Sequence, residues 1–138
     1  MSAAPAVDAL ALVPDVALAA GTHKYVLLRI SEPAAGAGAG AGAPPRSKVV
    51  VRSADREFHK GVKQETERAL QRDPRTAGLA VSCPGGGRIR HEPEQARTFV
   101  YGYSNAYGRG DHELACELIR RAFPAFPAEN VSFSNDGY

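Results

Sequence analysis

Short apolar runs recur along the chain, and most of them have the length and composition of β-strands. Residues 24–30, KYVLLRI, and 48–52, KVVVR, are rich in β-branched and aliphatic side chains, so each predicts a buried strand. Residues 10–13, near the amino terminus, predict a short edge strand. Further strands are predicted at residues 78–83, 87–92, 97–103 and 129–135.

The connections between the later strands are short. CPGGG joins the strand at 78–83 to the strand at 87–92, and EPEQA joins the latter to the strand at 97–103. Short connections favour antiparallel pairing of successive strands. We therefore expect a hairpin at the three glycines, with Cys83 buried beside it.

Two segments have the spacing of amphipathic helices. The first helix is predicted over residues 54–71, with Ser53 as its N-cap, and His59 lies at the margin of its apolar stripe. The members of that stripe are Phe58, Val62, Ala69 and Leu70. The second helix is predicted over residues 111–122, and its stripe consists of Leu114, Ala115, Leu118, Ile119 and Ala122.

These elements predict an α+β fold, in which one mostly antiparallel sheet of about six strands carries the two amphipathic helices. A chain of 138 residues fits one domain, spanning residues 1–138. Residues 31–47 hold alternating alanine and glycine and a Pro-Pro pair, which predict a flexible surface loop inside that domain. The apolar amino terminus lacks a basic segment and is interrupted by Asp8, Pro14 and Asp15, so we expect neither a signal peptide nor a membrane anchor.

Composition narrows the functional classes. The chain carries 17 basic and 15 acidic residues, and a net charge of +2 is too small to predict nucleic acid or an anionic membrane as the main partner. Cys83 and Cys116 form no CxxC pair, which favours a reduced, cytoplasmic location. The four histidines are His23, His59, His91 and His112, and their spacing does not match a zinc site. We therefore expect no metal and no other cofactor.

The segment CPGGGR, from Cys83 to Arg88, is similar to the loop of cysteine phosphatases. That chemistry needs five residues between the thiolate and the arginine, followed by a helix that lowers the thiol pKa. Here four residues intervene and a predicted strand follows. We therefore interpret the segment as a glycine hairpin.

The segment YGYSNAYG, residues 101–108, is a candidate anion site, because small residues between a strand and a helix can turn several N–H groups toward one point. A glycine-relieved bend packed by tyrosines is an equally good interpretation. Lys24, Arg52 and Arg88 are candidate anion ligands near the ends of strands. His59 is a candidate acid–base group, although a lone helical histidine is more often structural.

The ordered motifs HKYVLLRI, VVVR-x6-H, GGGRIRH, VYGYSNAYG and NDGY together resemble the phosphohistidine phosphatase family, also called the Janus or ocnus family. The resemblance runs from about Asp8 to Tyr138 and is interrupted mainly by the Ala/Gly loop. It implies a hydrolase that cleaves the P–N bond of phosphohistidine in proteins, with phospholysine as a second substrate, and that acts as a monomer using neither metal nor cysteine.

The resemblance also implies roles for individual residues. His59 corresponds to the essential histidine and Lys24 to the phosphate-binding lysine, with Arg52 and Arg88 as supporting arginines. The loop whose backbone amides hold the phosphoryl group corresponds to Tyr103, Ser104, Asn105 and Ala106.

The sequence departs from the family pattern in two places: at Asn105 the backbone N–H can still serve the phosphate loop, whereas the altered helix bears on substrate preference. Asn105 stands where methionine is expected, and the helix around His59 reads REFHKGVKQE, where a more aromatic sequence is expected. Two functions stay open at this point. One is a phosphatase in which His59 attacks phosphorus or acts as general base, and the other is a phosphate- or phosphoprotein-binding module without turnover.

Overall fold

The structure is a computed structural model that describes residues 8–33 and 45–136. The regular elements in this part of the chain are, in order, β1 (Val16–Ala17), β2 (Gly21–Ser31), β3 (Ser47–Ala54), α1 (His59–Arg72), β4 (Ala80–Glu92), β5 (Arg97–Tyr101), α2 (His112–Ala122) and β6 (Val131–Phe133). The centre of the predicted Ala/Gly loop, residues 34–44, and the last two residues of the NDGY motif lie outside the described residues.

The described strands form one sheet in the order β1-β3-β2-β4-β5-β6. The central pairs β3–β2, β2–β4 and β4–β5 are antiparallel, whereas β1 pairs with β3 and β6 pairs with β5 in parallel. The parallel β5–β6 pair follows from the crossover through α2, which returns the chain to the same end of the sheet. The predicted α+β fold, with a mostly antiparallel sheet and two helices, is confirmed.

The two helices pack on opposite faces of the sheet. α2 buries Ala115, Cys116 and Ile119 in a core that includes residues from the near faces of β2, β4 and β5. α1 buries Val62 and Leu70 in a second core with the alternate residues of β2 and β3. Because successive side chains of a strand point to opposite faces, each central strand contributes to both cores.

The predicted hairpin at CPGGG is wrong, because β4 runs through it as one strand from Ala80 to Glu92. Gly85, Gly86 and Gly87 are buried in the middle of the sheet rather than exposed in a turn. A Cβ atom at Gly86 would clash with the carbonyl oxygen of Tyr25, and one at Gly87 would clash with that of Tyr101. The glycines therefore permit the backbone of neighbouring strands to approach closely, which is a known role of glycine inside a strand.

The start of the first helix also differs from the prediction. β3 pairs with β2 as far as Ala54, so Ser53 lies in a strand, where its Oγ accepts a hydrogen bond from the N–H of Ala19. α1 begins at His59, and Phe58, expected in the apolar stripe, is 65% exposed. The buried face of α1 consists of His59, Val62, Thr66 and Leu70.

The amino-terminal strand predicted at residues 10–13 is instead a 3-10 turn, Leu10–Leu12, whose Leu10 packs with Val13 against the α1 core. The edge strand is β1, a few residues later. The second helix is confirmed, with the Asp111 side chain accepting a hydrogen bond from the N–H of Leu114 as its N-cap. None of the helices in the described residues has the length and apolar character needed to span a bilayer.

Candidate active site

His59 is the first residue of α1, and its ring points inward to β4. The ring Nε2 donates a hydrogen bond to the carbonyl oxygen of Gly87 at 2.8 Å, and the residue is only 6% exposed. A Cβ atom at Gly86 would lie 3.1 Å from the ring, so glycine leaves the space that the imidazole needs. Since a carbonyl only accepts, Nε2 carries the proton and Nδ1 keeps its lone pair.

The surroundings of His59 favour the neutral ring. Burial lowers the pKa of His59 below its usual value, and the charges of Lys24 and Arg88 lower it further, while the Gly87 carbonyl acts in the opposite direction. The imidazole is therefore available as a nucleophile or base near neutral pH.

His59 lines a cavity of about 680 Å³ between the start of α1 and the turn after β5. Lys24, Arg56, Lys60 and Arg88 all line it, and Glu57 is its one carboxylate among the described residues. Phe58 and Tyr103 form exposed aromatic walls. An excess of positive charge in a cleft favours an anionic ligand.

The amino terminus of α1 opens into the same cavity, since Phe58, Lys60 and Gly61 also line it. No side chain caps this end of the helix, and no acidic residue lies in its first turn. The N–H of Gly61 donates to the carbonyl oxygen of Phe58, and the positive end of the helix dipole favours an anion there. Sequence reasoning missed this feature, because it started the helix at residue 54.

The turn after β5 presents backbone donors to the cavity. Ser104 is 1% exposed, and its N–H donates to the carbonyl oxygen of Gly108, while its Oγ accepts from the N–H of Tyr107. These bonds leave the N–H groups of Asn105 and Ala106 without an acceptor in the described part of the chain, and both residues line the cavity. Ser104 thus shapes the turn from behind, although the sequence suggested it as a donor to the ligand.

A chain of buried hydrogen bonds holds this turn in place. The hydroxyl of Tyr25 donates to Nδ1 of His112, and Nε2 of His112 donates to the carbonyl oxygen of Gly102 at 2.8 Å. On the other side of the turn, the N–H of Gly86 donates to the carbonyl oxygen of Gly108. His112 was not predicted as a site residue, because nothing in the local sequence indicates a contact between β2, α2 and the turn.

The structure brings most of the predicted residues together, with two exceptions: Ser104 lies behind the turn and Arg52 lies elsewhere. Lys24, His59, Arg88, Tyr103, Asn105 and Ala106 line the cavity. Arg52 instead donates to the carbonyl oxygens of Val51 and Pro14 and lines a separate cavity of about 540 Å³, on the other side of α1. Within residues 8–33 and 45–136, no three or more His, Cys, Asp or Glu side chains lie close enough together to hold a metal ion.

Fold and site together define an α+β protein with a cleft lined by basic side chains and a buried histidine at its base. The chain belongs to the Janus/Ocnus family, whose pattern it matches over residues 10–127. It is 38% identical to the human 14 kDa phosphohistidine phosphatase over 96% of this chain and 99% of that protein. It is 35% identical to the pig 14 kDa phosphohistidine phosphatase, over 94% and 95% of the two chains, and 34% identical to the sex-regulated protein janus-A of Drosophila melanogaster, over 95% and 86%.

Proposed function

We propose that this protein is a protein-histidine phosphatase that hydrolyses the P–N bond of phosphohistidine without a metal ion or a cysteine nucleophile. The observation that carries the proposal is a neutral His59, with its proton fixed on Nε2, at the base of a cationic cleft. The names of the human and pig relatives support the same activity.

Three features of the cleft would bind the phosphoryl group. Lys24 supplies a charge, the turn supplies the N–H groups of Asn105 and Ala106, and the amino terminus of α1 supplies its dipole. Phosphoryl transfer passes through a loose transition state, so catalysis depends mainly on position and on charge at the phosphoryl oxygens. Arg88 lies beside Lys24 on the paired strand and adds to that charge.

His59 has two possible roles in this chemistry. As nucleophile, Nδ1 forms a new P–N bond while the bond to the substrate imidazole breaks, that imidazole takes up a proton, and water then hydrolyses phosphorylated His59. As general base, Nδ1 takes a proton from the water that attacks phosphorus directly, while the bond from phosphorus to the substrate imidazole breaks and that imidazole takes up a proton. Trapping phosphorylated His59 in a single turnover selects the first role, and phosphate release in a single turnover without any phosphorylated His59 selects the second.

A phosphate-release assay on a phosphohistidine-containing protein tests the proposed function. We expect wild-type protein to release phosphate at the same rate with and without a chelator, and the variants Cys83→Ser and Cys116→Ser to retain that rate. Burial raises the pKa of the Cys83 thiol and raises that of Cys116 to about 11, which leaves neither as a ready thiolate. Binding of the phosphoprotein without release would instead assign a binding module.

We further infer that the enzyme acts as a cytoplasmic monomer on phosphohistidine-containing proteins, with phospholysine as a second substrate. Both cysteines are free thiols, which fits a reducing compartment. Sedimentation at assay concentration tests the monomer.

A further inference from the structure

The sheet face that carries the cleft is only partly covered by α1. α1 packs over Val26, Leu28 and Val50, and Leu10 of the 3-10 turn joins the same core. No other α-helix of the described residues lies on this side. Beyond α1 the strands present an uncovered area, which we call the open face, formed by Lys24, Arg88, Arg90, Arg97, Phe99 and Tyr101. The residues that alternate with these, such as Ile89 and Val100, are buried under α2.

The open face combines positive charge with aromatic surface. Arg90 and Arg97 both pair with Glu92, at 3.4 and 2.9 Å, and their side chains stay 54% and 55% exposed. The guanidinium of Arg90 lies 5.6 Å from the centre of the Phe99 ring, which stacks on Tyr101. One carboxylate cannot balance two guanidinium groups, and exposed ion pairs are weak enough for a second carboxylate to compete.

The spacing of these arginines matches that of an extended peptide. Lys24 on β2 pairs with Arg88 on β4 beside the cleft. Arg90 lies two residues further along β4. Arg97 on β5 lies opposite Glu92, which is two residues beyond Arg90. Side chains on one face of a strand repeat about every 7 Å, so Arg90 and Arg97 lie about 7 and 14 Å beyond the Lys24–Arg88 pair. Both arginines also line a groove of about 280 Å³, which lies at the end of this row of basic side chains.

We propose that the open face is the docking surface for the substrate segment, and that it selects acidic side chains two and four residues away from the phosphohistidine. The proposal rests on the proposed function, because it takes the His59 cleft as the place where the phosphoryl group binds. Arg90 and Arg97 then receive the flanking carboxylates, and Phe99 supports the peptide backbone between them. The small net charge of the whole chain favours such a local protein contact over nucleic acid.

Kinetics on matched peptides test this proposal. Two phosphohistidine peptides differ only in carrying aspartate or serine two and four residues from the phosphohistidine, and the free phosphohistidine amino acid is the small substrate. We expect wild-type protein to show a KM about fivefold lower for the acidic peptide, which is the size expected of exposed charge pairs. Arg90→Glu should abolish or reverse this preference while changing kcat/KM for the free amino acid less than twofold.

Arg121→Glu is the matched control, because it makes the same charge change at an exposed position in the last turn of α2, on the opposite side of the sheet. It should keep the wild-type preference. Equal KM values for the two peptides in wild-type protein, or a preference that survives Arg90→Glu, would overturn the docking surface and leave the phosphatase standing.

Failure of wild-type protein to release phosphate from all three substrates would overturn the proposed function. NMR titration with the unphosphorylated acidic peptide separates the two failures, since docking predicts shifts at Arg90 and Phe99. Shifts caused there by an RNA oligonucleotide, but not by the peptide, would assign the face to nucleic acid and refute the proposal.

Discussion

Lys24 and His59 are coupled by charge across the cleft. The lysine disfavours the imidazolium form of His59, in the same direction as burial and as Arg88. A catalytic histidine whose pKa lies below its usual value of about 6.5 stays neutral, and therefore active, into mildly acidic solution.

Lys24→Gln should therefore raise the pKa of His59. We expect the acid side of the kcat profile to move to higher pH, and the affinity for inorganic phosphate to fall about fivefold or more. Titration of the His59 ring by NMR measures the first effect without substrate. Arg121→Gln on α2 is the control, and an unchanged or lower His59 pKa in Lys24→Gln would contradict the coupling.

Single residues also show why parts of the candidate site could not be predicted from the sequence. Lys24, His59 and the turn at 103–106 were indicated by family resemblance and residue type, and all of these residues except Ser104 line the cavity. His112 acts through bonds to Tyr25 and Gly102, which lie 87 and 10 residues away, and no local pattern records such contacts. Arg52 was assigned to the site by its charge and by family resemblance, but its guanidinium donates to the carbonyl oxygens of Val51 and Pro14.

At the scale of elements, the start of α1 lacks a side-chain cap. Phe58 is the N-cap residue, is largely exposed and provides no side-chain cap. Asparagine or aspartate there would accept a hydrogen bond from the first turn, which is worth about 1 kcal/mol. The aspartate would also place a negative charge at the mouth of the cleft.

Phe58→Asn and Phe58→Asp should both raise the free energy of unfolding by about 1 kcal/mol, measured by urea denaturation. Only Phe58→Asp should weaken phosphate binding, by about fivefold, because its carboxylate repels the anion. Comparing the two variants separates capping from charge. Equal phosphate affinity in both would show that the helix terminus does not contribute to the anion site.

The elements themselves were predictable where apolar periodicity is strong. β2, β3, β5 and α2 begin and end within a few residues of their predicted limits, since their buried positions repeat with the period of a strand or a helix. The glycines of β4 were wrongly assigned to a hairpin. Their role in the structure is to let the backbone of Tyr25 and Tyr101 approach closely, and those neighbours are distant in sequence. The start of α1 was placed too early because Ser53 and Asp55 form a plausible helix start, while pairing with β2 keeps the chain extended to Ala54.

At the scale of the whole molecule, three histidines are buried as neutral rings. Burial lowers the pKa of His59, His91 and His112 below the usual value. His91 bonds to the hydroxyl of Thr98 and packs on Phe123, so its ring is part of the α2 core. The unfolded chain therefore binds more protons than the native state once the pH falls below about 6.5.

Stability should accordingly fall as the pH drops from about 6.5 through the lower native pKa values. The loss is at most about 1.4 kcal/mol per pH unit for each of the three histidines. Urea midpoints at pH 7.5 and pH 5.0, at constant ionic strength, measure this loss. A midpoint that is equal or higher at pH 5.0 would contradict the burial of neutral histidines.

Single-turnover phosphate release by His59→Asn tests the central claim most directly. The asparagine amide takes the place of Nδ1 rather than of Nε2, so the bond to the Gly87 carbonyl is lost, and no ring nitrogen remains to attack phosphorus or accept a proton. We predict a rate at least about 100-fold below wild type, with phosphate binding retained, while His91→Asn keeps the wild-type rate per folded molecule. A His59→Asn rate close to that of wild type would show that the chemistry lies elsewhere.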